Sequence, residues 1–223
     1  TVQGVLCMNK PTEFTSFDVI GKLRGILHMR RLGHTGTLDP MVTGVLPVLV
    51  GKATRACDIL PDQTKSYRAA VQFGWETDTE DVWGIRTAAY PEMHVTKEML
   101  DEVIPRFLGE IQQIPPMYSA VKVNGQKLYD LARKGREVER PARDIIVHEM
   151  DLLDFDENAQ KGTLRCKVSK GTYVRTLCHD IGQALGCGGC MSSLRRTMAA
   201  GFTLDDAVTL DRVQQEGEAL LAP

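Results

Sequence analysis

Gly33-His34-Thr35-Gly36-Thr37-Leu38-Asp39-Pro40, running on into Gly44-Val45-Leu46-Pro47-Val48-Leu49-Val50-Gly51, is the stretch on which the reading of this chain turns. The first half places one acidic side chain in a glycine-rich segment. Two glycines, a Thr-Leu step and an Asp-Pro end argue against a helix or a regular strand there. Pro40 also pushes Asp39 toward extended or turn geometry. Such a loop can hold a carboxylate rigidly at the edge of a cleft, but Asp-Pro also commonly just opens a turn. The loop alone leaves both readings open. The near-continuous apolar run 45–50 that follows reads as a buried strand.

Working outward, residues 5–8 read as a short strand that stops at Asn9-Lys10-Pro11. Thr15-Ser16-Phe17-Asp18 is close to a capping box, and Ile20, Leu23 and Leu27 follow at helical spacing. Residues 53–60 suit a short helix. Over 65–74 the alternation is clean, with Tyr67, Ala69, Val71 and Phe73 on one face and Arg68 and Gln72 on the other. Thr96 can cap a helix carrying Leu100, Val103, Ile104 and Phe107, kinked at Pro105. Residues 114–123 read as a strand entered through Pro115-Pro116, and 126–134 as a short basic helix ended by Gly135. An exposed loop over 136–143 leads to strands at 145–155 and 164–168. Val174, Leu177, Ile181 and Leu185 recur at helical spacing, with Gly186 as the cap. A strand over 194–198 and a terminal helix over 209–221 complete the chain. Strands and helices mix without strict alternation, so the expected fold is α+β, with a mixed, mostly antiparallel central sheet flanked by helices.

The chain has 223 residues, 43% hydrophobic and 25% charged, as an ordinary soluble globular protein does. It carries no apolar run long enough for a membrane span and no basic-then-apolar leader, so a cytoplasmic location is expected. The net charge of −2 hides a segregated distribution. Residues 19–38 carry Lys22, Arg24, Arg30 and Arg31 and no acid. Residues 120–143 carry seven bases against three acids, and 76–102 eight acids against two bases. That segregation fits either a defined nucleic-acid docking face or ordinary solvated faces. Cysteines stand at 7, 57, 166, 178, 187 and 190. Cys187-Gly188-Gly189-Cys190 has metal-ligand spacing with Cys178-His179 nearby, but a second such pair is lacking, so buried thiols and no metal are expected. No dinucleotide fingerprint is present, and Gly51-Lys52-Ala53 fails the phosphate-loop pattern because Leu46 and Ala53 stand at required positions.

Several separated motifs then agree. Gly33 to Gly51, together with Asn9-Lys10-Pro11, Lys65-Ser66-Tyr67 and Thr77-Asp78-Thr79-Glu80-Asp81, resembles the TruB family of RNA pseudouridine synthases. The match continues in the family's order through Gln113-Ile114-Pro115-Pro116-Met117-Tyr118-Ser119-Ala120, Lys170-Gly171-Thr172-Tyr173-Val174-Arg175 and Leu194-Arg195-Arg196. The resemblance implies a pseudouridine synthase catalytic fold over 1–223, with a thumb-like basic insertion at about 120–143 and the family's small C-terminal RNA-binding domain absent or truncated. It implies isomerisation of the T-loop uridine of tRNA at position 55, with no cofactor and no obligate protein partner.

By the same resemblance Asp39 is the essential carboxylate and Arg175 its cationic partner. Tyr67 lies beneath the flipped uracil with a hydroxyl available for proton transfer at C5. Tyr173 supports the pocket, Leu194 closes its apolar wall, and His34 fills the space the base vacates or meets the RNA backbone. Lys122, Lys127, Arg133, Lys134 and Arg136 would meet phosphates, while Lys10 and Asp81 are expected to be structural or RNA-facing. Read from the residues alone, Tyr67 and Leu194 could equally be core residues and Arg175 a surface contact. The chemistry needs an ionised carboxylate and an extruded nucleotide, and no redox or phosphoryl step. Whether Asp39 attacks C1′, attacks the base or removes a sugar proton stays open. The competing readings are a synthase acting on other RNAs and a non-catalytic RNA-binding or remodelling module.

Overall fold

The computed structural model describes residues 4–56 and 64–220, the side chain of Glu218 aside. In chain order the strands are β1 (Gly4–Lys10), β2 (Leu32–His34), β3 (Val42–Val50), β4 (Lys65–Phe73), β5 (Trp75–Thr77), β6 (Arg86–Ala89) and β7 (Gly109–Gln113). They continue with β8 (Lys122–Val123), β9 (Gln126–Lys127), β10 (Arg143–Asp156), β11 (Lys161–Val168), β12 (Gly189–Ala199) and β13 (Phe202–Thr203). The helices are α1 (Ser16–Leu27), α2 (Lys97–Val103), α3 (Leu128–Arg133), α4 (Val174–Leu185) and α5 (Leu210–Glu216). The chain forms two compact units, Thr1–Tyr67 with Leu194–Pro223, and Arg68–Ser193.

The first unit is built on β3. One edge of β3 pairs antiparallel with β1, from Gly4↔Val50 to Lys10↔Gly44. β12 runs parallel to β3, with Leu194 beside Val42 and Arg196 beside Gly44, which makes the sheet mixed. β13 folds back on β12. Gly44 is required by this pairing: its φ is +109°, and a Cβ there would lie 2.0 Å from the Arg196 carbonyl oxygen. β3 is buried almost throughout, as its apolar run predicts. The capping box of α1 forms, Thr15 accepting from the Asp18 N–H and the Asp18 carboxylate from that of Thr15. The buried stripe Val19, Ile20, Leu23 and Leu27 packs in one core with Leu6, Met8, Leu46, Val48, Val50 and Val213. Thr209 caps α5, which closes the same core and gives way to a 3-10 turn at Gly217–Leu220. Residue 221 of the expected terminal helix lies outside the described residues.

The second unit carries the antiparallel ladder β11–β10–β7, in which Val147 pairs with both Val168 and Gly109; β4 lies beside β11. Tyr67, Ala69, Val71 and Phe73 all point inward along β4, as the alternation requires. Thr96 caps α2. At Pro105 the helix does not kink but tightens into a 3-10 turn, Ile104–Phe107, where the missing proline N–H is not needed. α4 ends at Gly186 as expected.

Several expectations are corrected. Gly33 and His34 are in a strand, because β2 pairs with Leu49 and Val48 of β3. The expected helix at 53–60 is a 3-10 turn, Gly51–Ala56, and 57–60 lie outside the described residues. Residues 114–121 form no strand: Pro115 and Pro116 have no N–H to continue the ladder of β7. Instead Lys122–Val123 turns back through Asn124-Gly125 onto Gln126–Lys127, so the helix expected from 126 starts at Leu128. The hairpin β5–β6 was not anticipated, since its segment shows no alternation. β12 extends five residues before the expected strand at 194.

Candidate active site

In the first unit the loop 35–40 is pinned at almost every residue. The Thr35 N–H donates to the Pro47 carbonyl at 3.1 Å. The Gly36 carbonyl accepts from Arg196 Nη2 at 2.6 Å. Buried Leu38 is bridged by the Ser16 hydroxyl, which accepts from its N–H at 2.8 Å and donates to its carbonyl at 3.1 Å. The Asp39 carbonyl receives the Val42 N–H, and the Pro40 carbonyl receives the Glu13 N–H and Lys10 Nζ. Lys10 is fully buried, its ammonium also donating to the carbonyls of Pro11 and Phe14. Burial pulls it down to about 8, against the charges of Asp39 and Asp18. Among these anchored residues Asp39 is exposed, and within this unit its carboxylate makes no hydrogen bond among the described residues. The backbone is clamped and the carboxylate stands out from it.

Arg196 lies under this loop and is 1% exposed. Besides Gly36 it donates from Nε to the Val45 carbonyl at 2.8 Å, and it is hydrogen-bonded to the Tyr67 hydroxyl. Tyr67 is buried on β4. Burial, then the charge of Arg196, holds His34 below the usual histidine range, so its imidazole is neutral at pH 7. A neutral ring suits stacking or a neutral hydrogen bond better than a phosphate ion pair. Leu194 is half-buried and packs against the core around Leu38 and Val42.

In the second unit Tyr173 precedes α4, and the buried Gln113 amide holds its backbone from both sides. Oε1 accepts from the Tyr173 N–H at 2.9 Å, and Nε2 donates to the Tyr173 carbonyl at 3.0 Å. Arg175, in the first turn of α4, donates from Nη1 to the Thr79 carbonyl and from Nη2 to the Tyr118 carbonyl, at 2.9 and 2.8 Å. No ion pair of Arg175 with a carboxylate of its own unit is found among the described residues. Asp81 shapes its own turn, its Oδ1 accepting from Thr79 Oγ1 and the Trp83 N–H. Thr176 donates to Glu80, whose carboxyl is raised by burial, and neighbouring Asp180 is raised to about 6, chiefly by burial.

The basic insertion has its own small core of Met117, Leu128 and Leu131. Lys122, Arg133, Lys134 and Arg136 are exposed and Lys127 is half-buried. Lys127 and Arg133 both lie over the Tyr129 ring, at 5.3 and 5.0 Å from its centroid. Arg136, Arg140 and Glu80 line a cleft of about 410 Å³. The five described cysteines are buried, Cys57 lying outside the described residues. Among the described residues no group of three or more His, Cys, Asp or Glu side chains could hold a metal ion, and no helix is long and apolar enough to cross a membrane.

The reading of the residues missed Ser16, Gln113 and the burial of Arg196. Gln113 and Arg196 sit inside quoted motifs and Ser16 beside a capping signal, but nothing in the motifs says what their polar atoms meet.

Residues 24–174 match the family described as TruB family pseudouridylate synthase, N-terminal domain. Residues 175–220 match the tRNA pseudouridylate synthase B C-terminal domain. The tRNA pseudouridine synthase B of Syntrophomonas wolfei is 47% identical over 222 residues, 98% of this chain and 74% of that protein. That of Acaryochloris marina is 42% identical over 218 residues, 97% of this chain and 75% of that protein. Of solved structures, the crystal structure of a Cbf5–Nop10–Gar1 complex superposes with a TM-score of 0.75 at 33% identity, over 95% of this chain. The chain spans about three quarters of these curated relatives and 54% of that solved chain.

Proposed function

Because this chain belongs to the TruB family of pseudouridine synthases, we propose that it isomerises uridine 55 in the T-loop of tRNA to pseudouridine. The C1′–N1 bond breaks, the uracil turns, C5 bonds to C1′, the C5 proton leaves to solvent and N1 takes up a proton, so atoms and charge balance without a cofactor. The observation that carries this reading is the loop 35–40, whose backbone is anchored on both sides of Asp39 while the carboxylate stays exposed. A fixed, ionised carboxylate is what attack at the sugar or base, or removal of a sugar proton, requires.

Tyr67 is the proposed platform for the extruded uracil, with stacking worth ~1–3 kcal/mol against a flipping cost of a few. Its hydroxyl, already tied to Arg196, is the proposed relay for the C5 proton. By the family's motif Arg175 is the proposed cationic partner of Asp39. Tyr173 and Leu194 are proposed to shape the pocket, and neutral His34 to fill the space the base leaves. Lys122, Lys127, Arg133, Lys134 and Arg136 are proposed to meet backbone phosphates of the T-arm, fixing register without reading bases.

The test uses a T-arm stem-loop tritiated at uracil C5 and follows release to water. Release by the intact protein and its loss in Asp39→Asn are expected. No release by the intact protein would leave an RNA-binding module or another RNA target. Release surviving Asp39→Asn would displace Asp39 from its role.

A further inference from the structure

Arg196 is a buried cation to which the proposed chemistry assigns no part. Among the described residues no carboxylate pairs with it. Its guanidinium is spent on the carbonyls of Val45 and Gly36 and on the Tyr67 hydroxyl. Burying an unpaired charge is expensive where an apolar side chain of like volume would pack. Here the cation meets three elements at once. Val45 is fully buried in the rigid strand β3, Gly36 belongs to the loop that presents Asp39, and Tyr67 lies on β4.

Gly36 is fitted to this contact. Its φ is +67°, and a Cβ there would lie 3.1 Å from Arg196 Nη1 and 3.3 Å from Nη2. The bonds leave a planar fork in fixed directions, which an ammonium on a flexible stem cannot reproduce. We infer that Arg196 is a positioning residue of the candidate active site: by joining the Gly36 carbonyl to the Tyr67 hydroxyl against the fixed frame of Val45, it sets the Asp39 loop relative to the Tyr67 ring. The inference rests on the reading of Asp39 and Tyr67 as the reacting pair. Burial and the charge of Arg196 also keep His34 neutral on the same side of the unit.

The experiment measures single-turnover tritium release and T-arm affinity separately, on the full chain, for Arg196→Lys and Gly36→Ala, with thermal melts of each. Arg196→Lys keeps the charge and loses the fork. Its rate should fall about 100-fold, the cost of a misplacement near 1 Å, while Kd stays within about threefold. Gly36→Ala leaves Arg196 present and crowds its fork, and should show the same division between rate and affinity. In the double variant the two losses should fall short of their product, because both act on one contact. A rate for Arg196→Lys within about threefold of the parent, or a rate loss matched by a rise in Kd, overturns the inference. Should Arg196→Lys not fold at the assay temperature, Gly36→Ala decides: an unchanged rate overturns the inference and a rate loss at constant Kd supports it. Failure of the parent itself to release tritium is a different result and strikes the functional reading.

Discussion

Ser16 offers the cleanest perturbation of the Asp39 loop. It is 2% exposed at the first position of α1, and its hydroxyl both accepts from the Leu38 N–H and donates to the Leu38 carbonyl, at 2.8 and 3.1 Å. Ser16→Ala removes both bonds and leaves a buried peptide unpaired one residue before Asp39. An unsatisfied buried polar group costs ~1–3 kcal/mol. Alanine, the better helix former, returns roughly 0.5 kcal/mol, so a net loss of about 2 kcal/mol is expected. For a chain of 223 residues, with roughly 2–4 °C per kcal/mol, the melting temperature should fall by about 4–8 °C. Calorimetry of parent and variant at pH 7 measures this directly. Tritium release should fall as well, by about 10- to 100-fold, because the loosened residue adjoins the carboxylate. A melting temperature within about 1 °C of the parent would refute the reasoning, since it would mean that the hydroxyl bridge carries no net stability.

Other residues give independent checks. Gln113→Glu keeps the acceptor for the Tyr173 N–H but sets a carboxylate oxygen against the Tyr173 carbonyl. It should cost about 3 kcal/mol at pH 7 and less at pH 5, where a protonated glutamic acid can donate, and equal melts at both pH values would contradict it. Asp180 is raised to about 6, so between the ordinary aspartate value and 6 the folded state holds more protons than the unfolded one. Its ionisation therefore weakens the fold as pH rises through that window. Asp180→Asn should stabilise by about 1–2 kcal/mol at pH 7.5, discounted for its partial exposure, and by nothing near pH 3; a pH-independent difference would oppose the assignment. Arg136 is exposed beside the cleft, and Arg136→Gln should reduce the slope of log affinity against log salt by about 0.7–0.9, one phosphate contact. An unchanged slope in T-arm binding would place Arg136 away from the RNA.

Much of the architecture was legible because it is recorded between near neighbours. Thr15 and Asp18 start α1, four apolar residues at helical spacing bury it, and the unbroken run of β3 marks a strand covered on both faces. The same short-range chemistry marked the Asp39 loop as non-helical and α4 as ending at Gly186. It misjudged Gly33 and His34, whose extended backbone is decided by pairing with β3. It also misjudged 114–121, where two prolines cannot donate to a ladder.

The sequence by itself determined the helices, the central strands and, through collinear motifs, the family and the conspicuous Asp39. Only the tertiary structure decided what surrounds that aspartate: Ser16 on Leu38, Lys10 on Pro40, and Arg196 on Gly36 from 160 positions away. A polar side chain carries its donors and acceptors wherever it stands, but its partner is chosen by which backbone groups the packed sheet leaves unpaired nearby. Periodicity does not encode that choice, because it is made only once the core has closed.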